Sequence, residues 1–269
     1  MSASTARRPE TDLSVEVAGV TMGAGHPLRV IAGPCSVEGP RQFLETALAV
    51  KRGGAALLRG GAFKPRTSPY SFQGLGAEGL RIMRQVADEL GMGLVTEALA
   101  PDDVPLVAEY ADMVQIGARN MQNWPLLRRA ASSGVPILLK RGIAATIDEV
   151  VDASNAIRAN GNDKVIICER GSRTFEPATR NSVDIAAIPE MQLRTGLPVL
   201  VDPSHGTGRV DLVTPVALAG VAAGADGVMV EVHPDPSRAL SDGPQSLEAA
   251  AFGSFMDRIR RLAQALGRI

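Results

Sequence analysis

Four side chains of the kinds that bind transition metals lie at predicted strand ends or in the loops that follow them: Cys35, His205, Glu231 and Asp242. Together they offer one thiolate, one imidazole and two carboxylates, a donor set that suits a divalent transition metal and is too soft for a magnesium-only site. A lone cysteine is more often a small buried hydrophobe, and a lone histidine in DPSHGTG could merely cap a turn. Convergence at three strand ends and one adjoining loop reverses that balance and favours a metal site.

A second set is cationic and comes from the same ends of the strands: Arg59, Lys64, Arg66, Arg119, Lys140 and Arg170. Scattered basic residues are usually surface charges, but these emerge from apolar strands, where burial without partners costs several kcal/mol. Bound anions would supply the partners, because arginine pairs bidentately with carboxylate or phosphate and lysine acts as a point charge. The glycines of LRGGAF and QIGARN let backbone N–H groups approach an anion. The residues therefore predict a metal-assisted enzyme acting on strongly anionic small molecules.

Short apolar runs alternate with longer amphipathic stretches along the chain. Predicted strands cover 28–33, 55–60, 92–97, 112–117, 136–140, 164–169, 197–202 and 226–232, and predicted helices cover 40–51, 76–90, 102–110, 122–133, 146–159, 184–194, 211–223 and 244–266. This alternation predicts βαβ units, and eight of them favour a closed α/β barrel of the (β/α)8 or TIM type over an open sheet. The first turn, AGPCSVEG, also lacks the G-x-G-x-x-G pattern of dinucleotide-binding sheets. Both chemical sets then meet at the C-terminal ends of the barrel strands, where such barrels place their active sites.

Length and composition fit one catalytic barrel over residues 28–269, preceded by an extension or hairpin over 1–27. The 269 residues are 45% hydrophobic but only 3% aromatic, so the core must be aliphatic. A net charge of -1 and a pI of about 6.3 lack the electrostatic footprint of a nucleic-acid binder. No apolar stretch approaches the roughly 20 residues of a membrane helix. The start, MSASTARRPE, is not a secretory signal, so Cys35 and Cys168 are expected to be thiols in the cytoplasm.

Long motifs in the barrel resemble those of the 3-deoxy-D-arabino-heptulosonate 7-phosphate (DAHP) synthases: GPCSVE, LRGGAFKPRTSPYSFQGLG, QIGARNMQN, LLKRG, CERGSRTFE, DPSHGTG, EVHP and ALSDGPQSL. They resemble most the bacterial type I beta subfamily, over about residues 28 to 250. The resemblance implies a transferase that joins phosphoenolpyruvate, erythrose 4-phosphate and water into DAHP and phosphate, the first step of the shikimate pathway to aromatic amino acids. Related 3-deoxy-D-manno-octulosonate 8-phosphate synthases carry a KANRS-type segment where this chain has KPRTS, the form that resembles the erythrose 4-phosphate-using family.

The resemblance also implies roles for individual residues. Cys35, His205, Glu231 and Asp242 match the family's metal ligands. The substrate-binding positions are Arg59, Lys64, Pro65, Arg66, Thr67, Gly117, Ala118, Arg119, Lys140, Arg170 and Asp202. Among these, Arg66 and Thr67 lie in the erythrose 4-phosphate segment, and the cations with the Gly117-Ala118 backbone surround phosphoenolpyruvate. Lys64 is the expected proton donor and counts with Cys35 and His205 as catalytic, while Glu97 and Asp202 are expected to position water or neighbouring groups.

Further expectations concern the metal, the assembly and regulation. The resemblance implies a divalent ion, Mn²⁺ first with Co²⁺, Fe²⁺ or Zn²⁺ as alternatives, and a homodimer or homotetramer. Many relatives carry a ferredoxin-like or chorismate mutase module at one end, and the short flanks of this barrel leave no room for either. We therefore expect a barrel-only form that saturating Phe, Tyr or Trp inhibits little in a rate assay.

Three alternatives stay open at this point. A Schiff-base aldolase would use Lys140 or Lys64 as nucleophile, its pKa lowered by neighbouring cations, and borohydride trapping would reveal it. A non-catalytic barrel would serve as a subunit or scaffold, although loss of a metal ligand would have been its simplest sign. A specialised relative would keep the chemistry but accept an amino- or otherwise altered sugar phosphate in secondary metabolism.

Overall fold

The apolar runs form a closed parallel barrel in the computed structural model, which describes residues 13–64 and 70–269. Within these residues the strands are β1 (Ser14–Val17), β2 (Val20–Gly23), β3 (Arg29–Gly33), β4 (Leu57–Arg59), β5 (Gly93–Ala98), β6 (Met113–Ile116), β7 (Ile137–Lys140), β8 (Val165–Glu169), β9 (Val199–Val201), β10 (Gly227–His233) and β11 (Leu247–Glu248). Strands β3 to β10 pair in parallel in chain order, and β10 closes the barrel by pairing with both β9 and β3. The predicted (β/α)8 barrel is confirmed.

Helices surround the barrel. Over the described residues they are α1 (Pro40–Gly53), α2 (Gly76–Leu90), α3 (Val104–Tyr110), α4 (Trp124–Ala131), α5 (Ile147–Ala159), α6 (Ala187–Thr195), α7 (Pro203–Thr207), α8 (Val210–Ala222) and α9 (Phe252–Ala265). Local signals set several ends: Thr146 and Glu149 form a capping box at the start of α5, and glycines in the left-handed conformation end α1 and α2. Among the described helices, none combines the length and the apolar character that a membrane span requires.

Two features of the helical pattern differ from the sequence prediction. The last helix begins at Phe252 and not at 244, because Leu247 and Glu248 extend along β10 and pair in parallel with it. Strand pairing here outweighs the helical propensity of SLEAAA. The short helix α7 was not predicted; it begins directly after β9, where the Asp202 side chain accepts a hydrogen bond from the His205 backbone N–H.

The hairpin of β1 and β2 closes one end of the barrel. Its buried residues Val15, Val17 and Met22 pack against the inward-facing apolar layer of the strands. Arg29, the first residue of β3, donates a hydrogen bond to the backbone carbonyl of Thr21, which places the hairpin at the N-terminal ends of the strands. The segment that the sequence placed outside the main fold therefore contributes to the barrel core, at the end opposite the strand termini that carry the chemistry.

Along each strand, the inward-facing side chains change from apolar to polar or charged over two residues. Side chains two residues apart on a strand point to the same face. Two residues beyond the inward apolar layer stand the polar groups Arg59 after Leu57, Glu97 after Val95, Gln115 after Met113, Lys140 after Leu138, Asp202 after Leu200 and Glu231 after Met229. A layer of apolar side chains thus lies directly beneath a layer of mostly charged side chains at the C-terminal mouth of the barrel.

Candidate active site

Four metal-ligating side chains converge at the mouth of the barrel. Cys35 follows β3, His205 lies on α7, Glu231 on β10 and Asp242 in the loop after β10. One donor atom of each lies within 4.8 Å of the donor atoms of the others. The Cys35 Sγ is 3.1 Å from Asp242 Oδ2, and His205 Nε2 is 3.3 Å from Glu231 Oε1. The structure therefore brings together all four ligands that the sequence predicted.

The loop that carries Asp242 is tied back to the loop after β3. Leu240 N donates to the Glu38 carboxylate at 2.7 Å, and the Ser36 and Ser241 hydroxyls are hydrogen-bonded at 2.5 Å. Asp242 itself adopts the left-handed backbone conformation, with φ 54°, which aspartate tolerates better than most residues. These contacts hold the Asp242 carboxylate beside the Cys35 thiol, although the two residues are 207 positions apart in the chain.

The charge state of each ligand follows from its neighbours. Burial, reinforced by Glu231, raises the pKa of the Cys35 thiol to about 12, so the ion-free site holds a protonated thiol. Burial also lowers the pKa of His205, which keeps the imidazole neutral and able to ligate. Burial alone would raise the pKa of Glu231, but His205 and Arg59 hold it below its usual range. The site thus combines the neutral imidazole of His205, the ionised carboxylate of Glu231 and the thiol of Cys35, which must lose its proton to bind an ion.

His205 is oriented by a buried pair behind it. Its Nδ1 lies 2.7 Å from Asp202 Oδ2, while the same carboxylate oxygen accepts a hydrogen bond from Lys140 Nζ. Although burial opposes ionisation, His205 and Lys140 hold the pKa of Asp202 well below its usual range. The Asp202 contact fixes the ring so that Nε2 points towards Glu231, the arrangement in which an outer carboxylate orients a metal-ligating histidine.

Lys64 lies against the first metal ligand. Its Nζ donates to the Cys35 backbone carbonyl and lies 3.0 Å from Cys35 Sγ. A Cβ at position 61 would overlap both the Lys64 ammonium and the Cys35 carbonyl, so the glycine of LRGGAF is needed for this close approach. The lysine lines the cleft and is half-buried. Its ammonium group therefore lies at the edge of the group of four candidate ligands.

An open cleft lined mainly by polar and charged side chains adjoins the cluster. It is lined by Cys35, Lys64, Glu97, Gln115, Gly117, Ala118, Arg119, Lys140, Arg170, Arg180, His205 and Asp242. Its charged groups are five lysines or arginines and two carboxylates, and the protonated thiol of Cys35 lies beside them. Burial, together with nearby Arg180, lowers the pKa of Arg170, whose Nη atoms donate to the backbone carbonyls of Gly171 and His205. An anion in the cleft would compensate this buried cationic charge.

Glu97 faces the cleft and lies beside the backbone of the turn that follows β6. Gln115 Nε2 donates to Glu97 Oε2 at 2.9 Å. A side chain at Gly117 would overlap the Glu97 carboxylate, so a larger residue there would displace that carboxylate from its present position. The arrangement leaves a carboxylate in the cleft wall within reach of water or substrate.

A buried ion pair supports the loop that presents Arg170. Arg141 donates to Glu169 Oε2 at 2.9 Å, and the other Glu169 oxygen accepts from Gly171 N at 2.7 Å. Arg141 and Glu169 are 6% and 0% exposed, so this pair acts inside the protein and not at the cleft surface. It fixes the first turn after β8, from which Arg170 projects.

The structure divides the sequence-predicted site residues into three groups. Ten line the cleft: Cys35, Lys64, Glu97, Gly117, Ala118, Arg119, Lys140, Arg170, His205 and Asp242; Glu231 is fully buried beside them. Arg59 and Asp202 are buried behind the wall, where Arg59 Nη1 binds Glu231 Oε1 at 2.7 Å. Each of the two residues thus contacts one member of the cluster, Arg59 contacting Glu231 and Asp202 contacting His205. Pro65, Arg66 and Thr67 lie outside the described residues.

Three side chains at the site were not singled out from the sequence: Gln115, Arg180 and Gln245. Gln115 could have been found, because it stands two residues after Met113 and two before Gly117, on the inward face of a strand that ends at the site. Arg180 lies ten residues beyond Arg170 in an irregular loop, where no periodicity marks its direction. Gln245 lies in a segment predicted as helix, so its approach to Glu231 depends on the actual path of the loop.

Comparison with known proteins points to one group of enzymes. The model of the DAHP synthetase I family matches residues 7–266. A phospho-2-dehydro-3-deoxyheptonate aldolase of Thermotoga maritima is 54% identical over 256 residues, which cover 95% of this chain and 75% of that protein. A 2-dehydro-3-deoxyphosphooctonate aldolase of Magnetococcus marinus is 33% identical over 271 residues, covering 94% of this chain and 93% of that protein.

Solved structures give the same picture. The crystal structure of the Thermotoga maritima phospho-2-dehydro-3-deoxyheptonate aldolase superposes with a TM-score of 0.93 at 53% identity, covering 96% of this chain and 75% of that one. A truncated form of 3-deoxy-D-arabino-heptulosonate 7-phosphate synthase from the same organism superposes with a TM-score of 0.89 at 49% identity, covering 96% and 94%. The likeness therefore extends over the whole barrel.

Proposed function

The chain belongs to the DAHP synthetase I family, and on that basis we propose that the mouth of its barrel condenses phosphoenolpyruvate, erythrose 4-phosphate and water into DAHP and inorganic phosphate. One observation carries the assignment of the site. The cluster of Cys35, His205, Glu231 and Asp242 opens onto the same cleft as a set of lysines and arginines. A metal-ligating group beside concentrated positive charge suits two phosphorylated substrates, one of which contains an aldehyde.

The four side chains fit a divalent transition metal. They supply one sulfur, one nitrogen and carboxylate oxygens, and the pKa values of the imidazole and of both carboxylates are shifted so that each is in its ligating form. Mn²⁺ is our first choice, and Co²⁺, Fe²⁺ and Zn²⁺ suit the same donors. When bound, such an ion supplies a Lewis acid for the aldehyde carbonyl of erythrose 4-phosphate.

The basic residues of the cleft hold phosphoenolpyruvate. Arg119, Lys140 and Arg170 surround its phosphate, with the backbone of Gly117 and Ala118 beside them. Lys64, at the other side of the cleft near Cys35, is placed to meet the carboxylate end of phosphoenolpyruvate or the aldehyde. Their main effect is to hold two polyanions together against mutual repulsion, which fixes the reacting carbons at bonding distance.

Bond formation then joins carbon 3 of phosphoenolpyruvate to the aldehyde carbon. The aldehyde oxygen gains the electron pair of its carbonyl bond, and Lys64 Nζ is the group placed to give it a proton. His205 is less suited to that transfer, because Nδ1 is engaged by Asp202 and Nε2 faces the metal cluster. Lys64 is therefore assigned the proton and His205 the ligand role.

Water completes the reaction at carbon 2, where positive character develops as carbon 3 forms its bond. Glu97 is the carboxylate in the cleft wall that is not part of the metal cluster, and it accepts a hydrogen bond from Gln115. We assign it the task of orienting the water and holding its proton. The carbon–oxygen bond between carbon 2 and the phosphate then breaks, the new hydroxyl gives its proton to the departing phosphate and becomes the ketone oxygen, and inorganic phosphate leaves.

The choice of aldehyde is the point on which the relatives differ, since the Magnetococcus marinus protein is named for an octonate product. The experiment is to compare turnover with erythrose 4-phosphate and with arabinose 5-phosphate, with product masses read by mass spectrometry. We expect a seven-carbon product and a kcat/KM at least about 100-fold higher for erythrose 4-phosphate, a ratio worth about 2.7 kcal/mol. A preference for arabinose 5-phosphate would keep the chemistry and overturn the substrate.

Assembly is a separate proposal. Family resemblance supports a homodimer or homotetramer, and Trp124, 41% exposed at the start of α4, is a candidate contact. Light scattering of the purified protein with and without Trp124→Ala tests it, and a monomer at micromolar concentration would contradict it.

A further inference from the structure

Gln245 and Arg180 together connect two of the proposed metal ligands, Glu231 and Asp242. Gln245 is buried, with 2% of its surface exposed, and its Nε2 donates to Glu231 Oε2 at 2.6 Å. Its Oε1 accepts a hydrogen bond from Arg180 Nη1 at 2.8 Å. The same Arg180 nitrogen lies 3.1 Å from Asp242 Oδ1. A guanidinium, an amide and two carboxylates thus form one continuous chain along the edge of the cluster.

The donors and acceptors in this hydrogen-bonded series determine which end of the Gln245 amide faces Arg180. A guanidinium has donors and no acceptor, so the Gln245 end that faces Arg180 must be the carbonyl oxygen. The NH2 group then necessarily faces Glu231. Because Arg59 donates to the other oxygen, Oε1, Glu231 is held from both sides and its carboxylate plane is set by two donors.

The loop around Gln245 does not need this side chain for its own path. Gln245 N donates to the Asp242 carbonyl, and Ser246 N donates to the Gly243 carbonyl, so backbone bonds already close the turn. The Ser246 hydroxyl adds a further bond to the Asp242 carbonyl. The amide of Gln245 therefore ends at both sides on groups of the site and not on the turn that carries it.

We propose that Gln245 and Arg180 are positioning residues that set the affinity and the coordination geometry of the metal site by orienting Glu231 and Asp242. The inference rests on the metal site proposed above. Outer partners of metal ligands typically contribute a factor of about 10–100 in metal affinity, because they hold a ligand in its binding orientation. Neither residue ligates the ion itself in this scheme.

The experiment measures Co²⁺ binding to the chelator-stripped full-length protein by competition with a chromophoric chelator, and records the visible Co²⁺ spectrum. We expect Gln245→Met, which keeps the volume and removes both polar ends, to weaken Co²⁺ binding by about 10–100-fold. Its Co²⁺ spectrum should also change, because the Glu231 carboxylate keeps only Arg59 of the two donors that set its orientation. Arg180→Met, at a partly exposed position, should act in the same direction. The double variant should lose less than the product of the two separate losses, because both residues act on Glu231 through the same amide.

Gln192 provides a matched control. It is also buried, at 4% exposed, and its Nε2 donates to the Asp226 carboxylate at 2.7 Å, next to the N-terminal end of β10 and away from the cluster. Gln192→Met should lower the thermal stability of the protein but leave Co²⁺ affinity and spectrum unchanged.

The outcomes separate this inference from the function on which it rests. Tight Co²⁺ binding by the wild-type protein, with affinities of Gln245→Met and Arg180→Met within about twofold of it, would overturn the positioning role and leave the metal site standing. Equal losses in Gln245→Met and Gln192→Met would assign the effect to stability and overturn the role as well. Absence of Co²⁺ binding by the wild-type protein would remove the metal site and, with it, this inference.

Discussion

The ammonium of Lys140 donates to the carboxylate of Asp202 inside the protein, where the two side chains are 4% and 0% exposed. The pair is 62 residues apart in the chain and joins the ends of β7 and β9 behind the cleft. It orients His205 at one end and presents a cation to the cleft at the other. Because the pair is buried, removing either charge should lower the free energy of unfolding of the barrel.

Removing one partner of this pair should destabilise the protein. Lys140→Met leaves Asp202 buried with His205 as its remaining side-chain donor, and we expect a loss of about 3 kcal/mol in the free energy of unfolding. Urea denaturation of the ion-free protein measures it. The double variant Lys140→Met/Asp202→Asn removes both charges and should recover most of the stability while phosphoenolpyruvate binding stays impaired. A single variant as stable as wild type would contradict the account.

Metal binding should release a proton. The pKa of the Cys35 thiol is raised to about 12 by burial and by Glu231, so the thiol is protonated in the ion-free protein at neutral pH. His205, whose pKa is lowered, is already neutral there. An ion that binds the thiolate displaces the Cys35 proton, so affinity should rise about tenfold per pH unit between roughly pH 7 and 9.

Titration calorimetry in two buffers of different ionisation enthalpy gives the number of protons released, which we expect to be about one. Cys35→Ala should bind the ion more weakly and lose this pH dependence. An affinity that does not change with pH in the wild-type protein would exclude the thiolate as a ligand.

Cys35→Ala should also abolish metal-dependent turnover while the barrel stays folded. The thiol is one of the four proposed ligands, and the apolar core of the barrel, to which Cys35 does not belong, should keep its packing when alanine replaces it. Circular dichroism and thermal unfolding check the fold, and the rate of phosphoenolpyruvate loss checks function. Full activity in this variant would contradict the ligand assignment.

Gly117→Ala should harm both stability and activity. The added methyl group overlaps the Glu97 carboxylate, and relieving that overlap must move either Glu97 or the turn that carries Ala118 and Arg119. We expect a marked fall in kcat because Glu97 is displaced, with a loss of at most about 1 kcal/mol in the free energy of unfolding, because the end of the Glu97 side chain can move.

Gly253→Ala is the matched control for this substitution. An added Cβ there meets no atom within 4 Å, and the residue lies in α9, where alanine is the better helix former. It should leave activity unchanged and stabilise the protein by at most about 1 kcal/mol. Equal behaviour of the two variants would show that the contact between Gly117 and Glu97 has no consequence.

The sequence predicted those parts of the site that depend on strand periodicity. Because Arg59, Glu97, Lys140 and Glu231 stand at or next to strand ends, the period of two and the parallel topology were enough to bring them to one mouth. The donor types of the four ligands were enough to predict a metal site. These inferences use local pattern and the rules of one fold, and the structure confirms that the four ligands meet.

Other parts depend on loop paths that no local pattern encodes. The direction of Asp242 follows from contacts with Glu38 and Ser36 more than 200 residues away, and the helix predicted from 244 gave way to pairing with β10. The sequence predicts Arg59 as a substrate-binding residue, and that role stays a prediction. Its guanidinium also binds Glu231, a pairing that depends on the closure of β10 onto β3. Long-range closure of this kind can be read only from the folded chain.

The most direct test follows the enol absorbance of phosphoenolpyruvate with the chelator-stripped wild-type protein, with and without erythrose 4-phosphate and added Mn²⁺. We predict loss of absorbance only when both the aldehyde and the ion are present, with one phosphate released for each phosphoenolpyruvate consumed. Equal loss without the ion, or no loss under any of the four conditions, would contradict it.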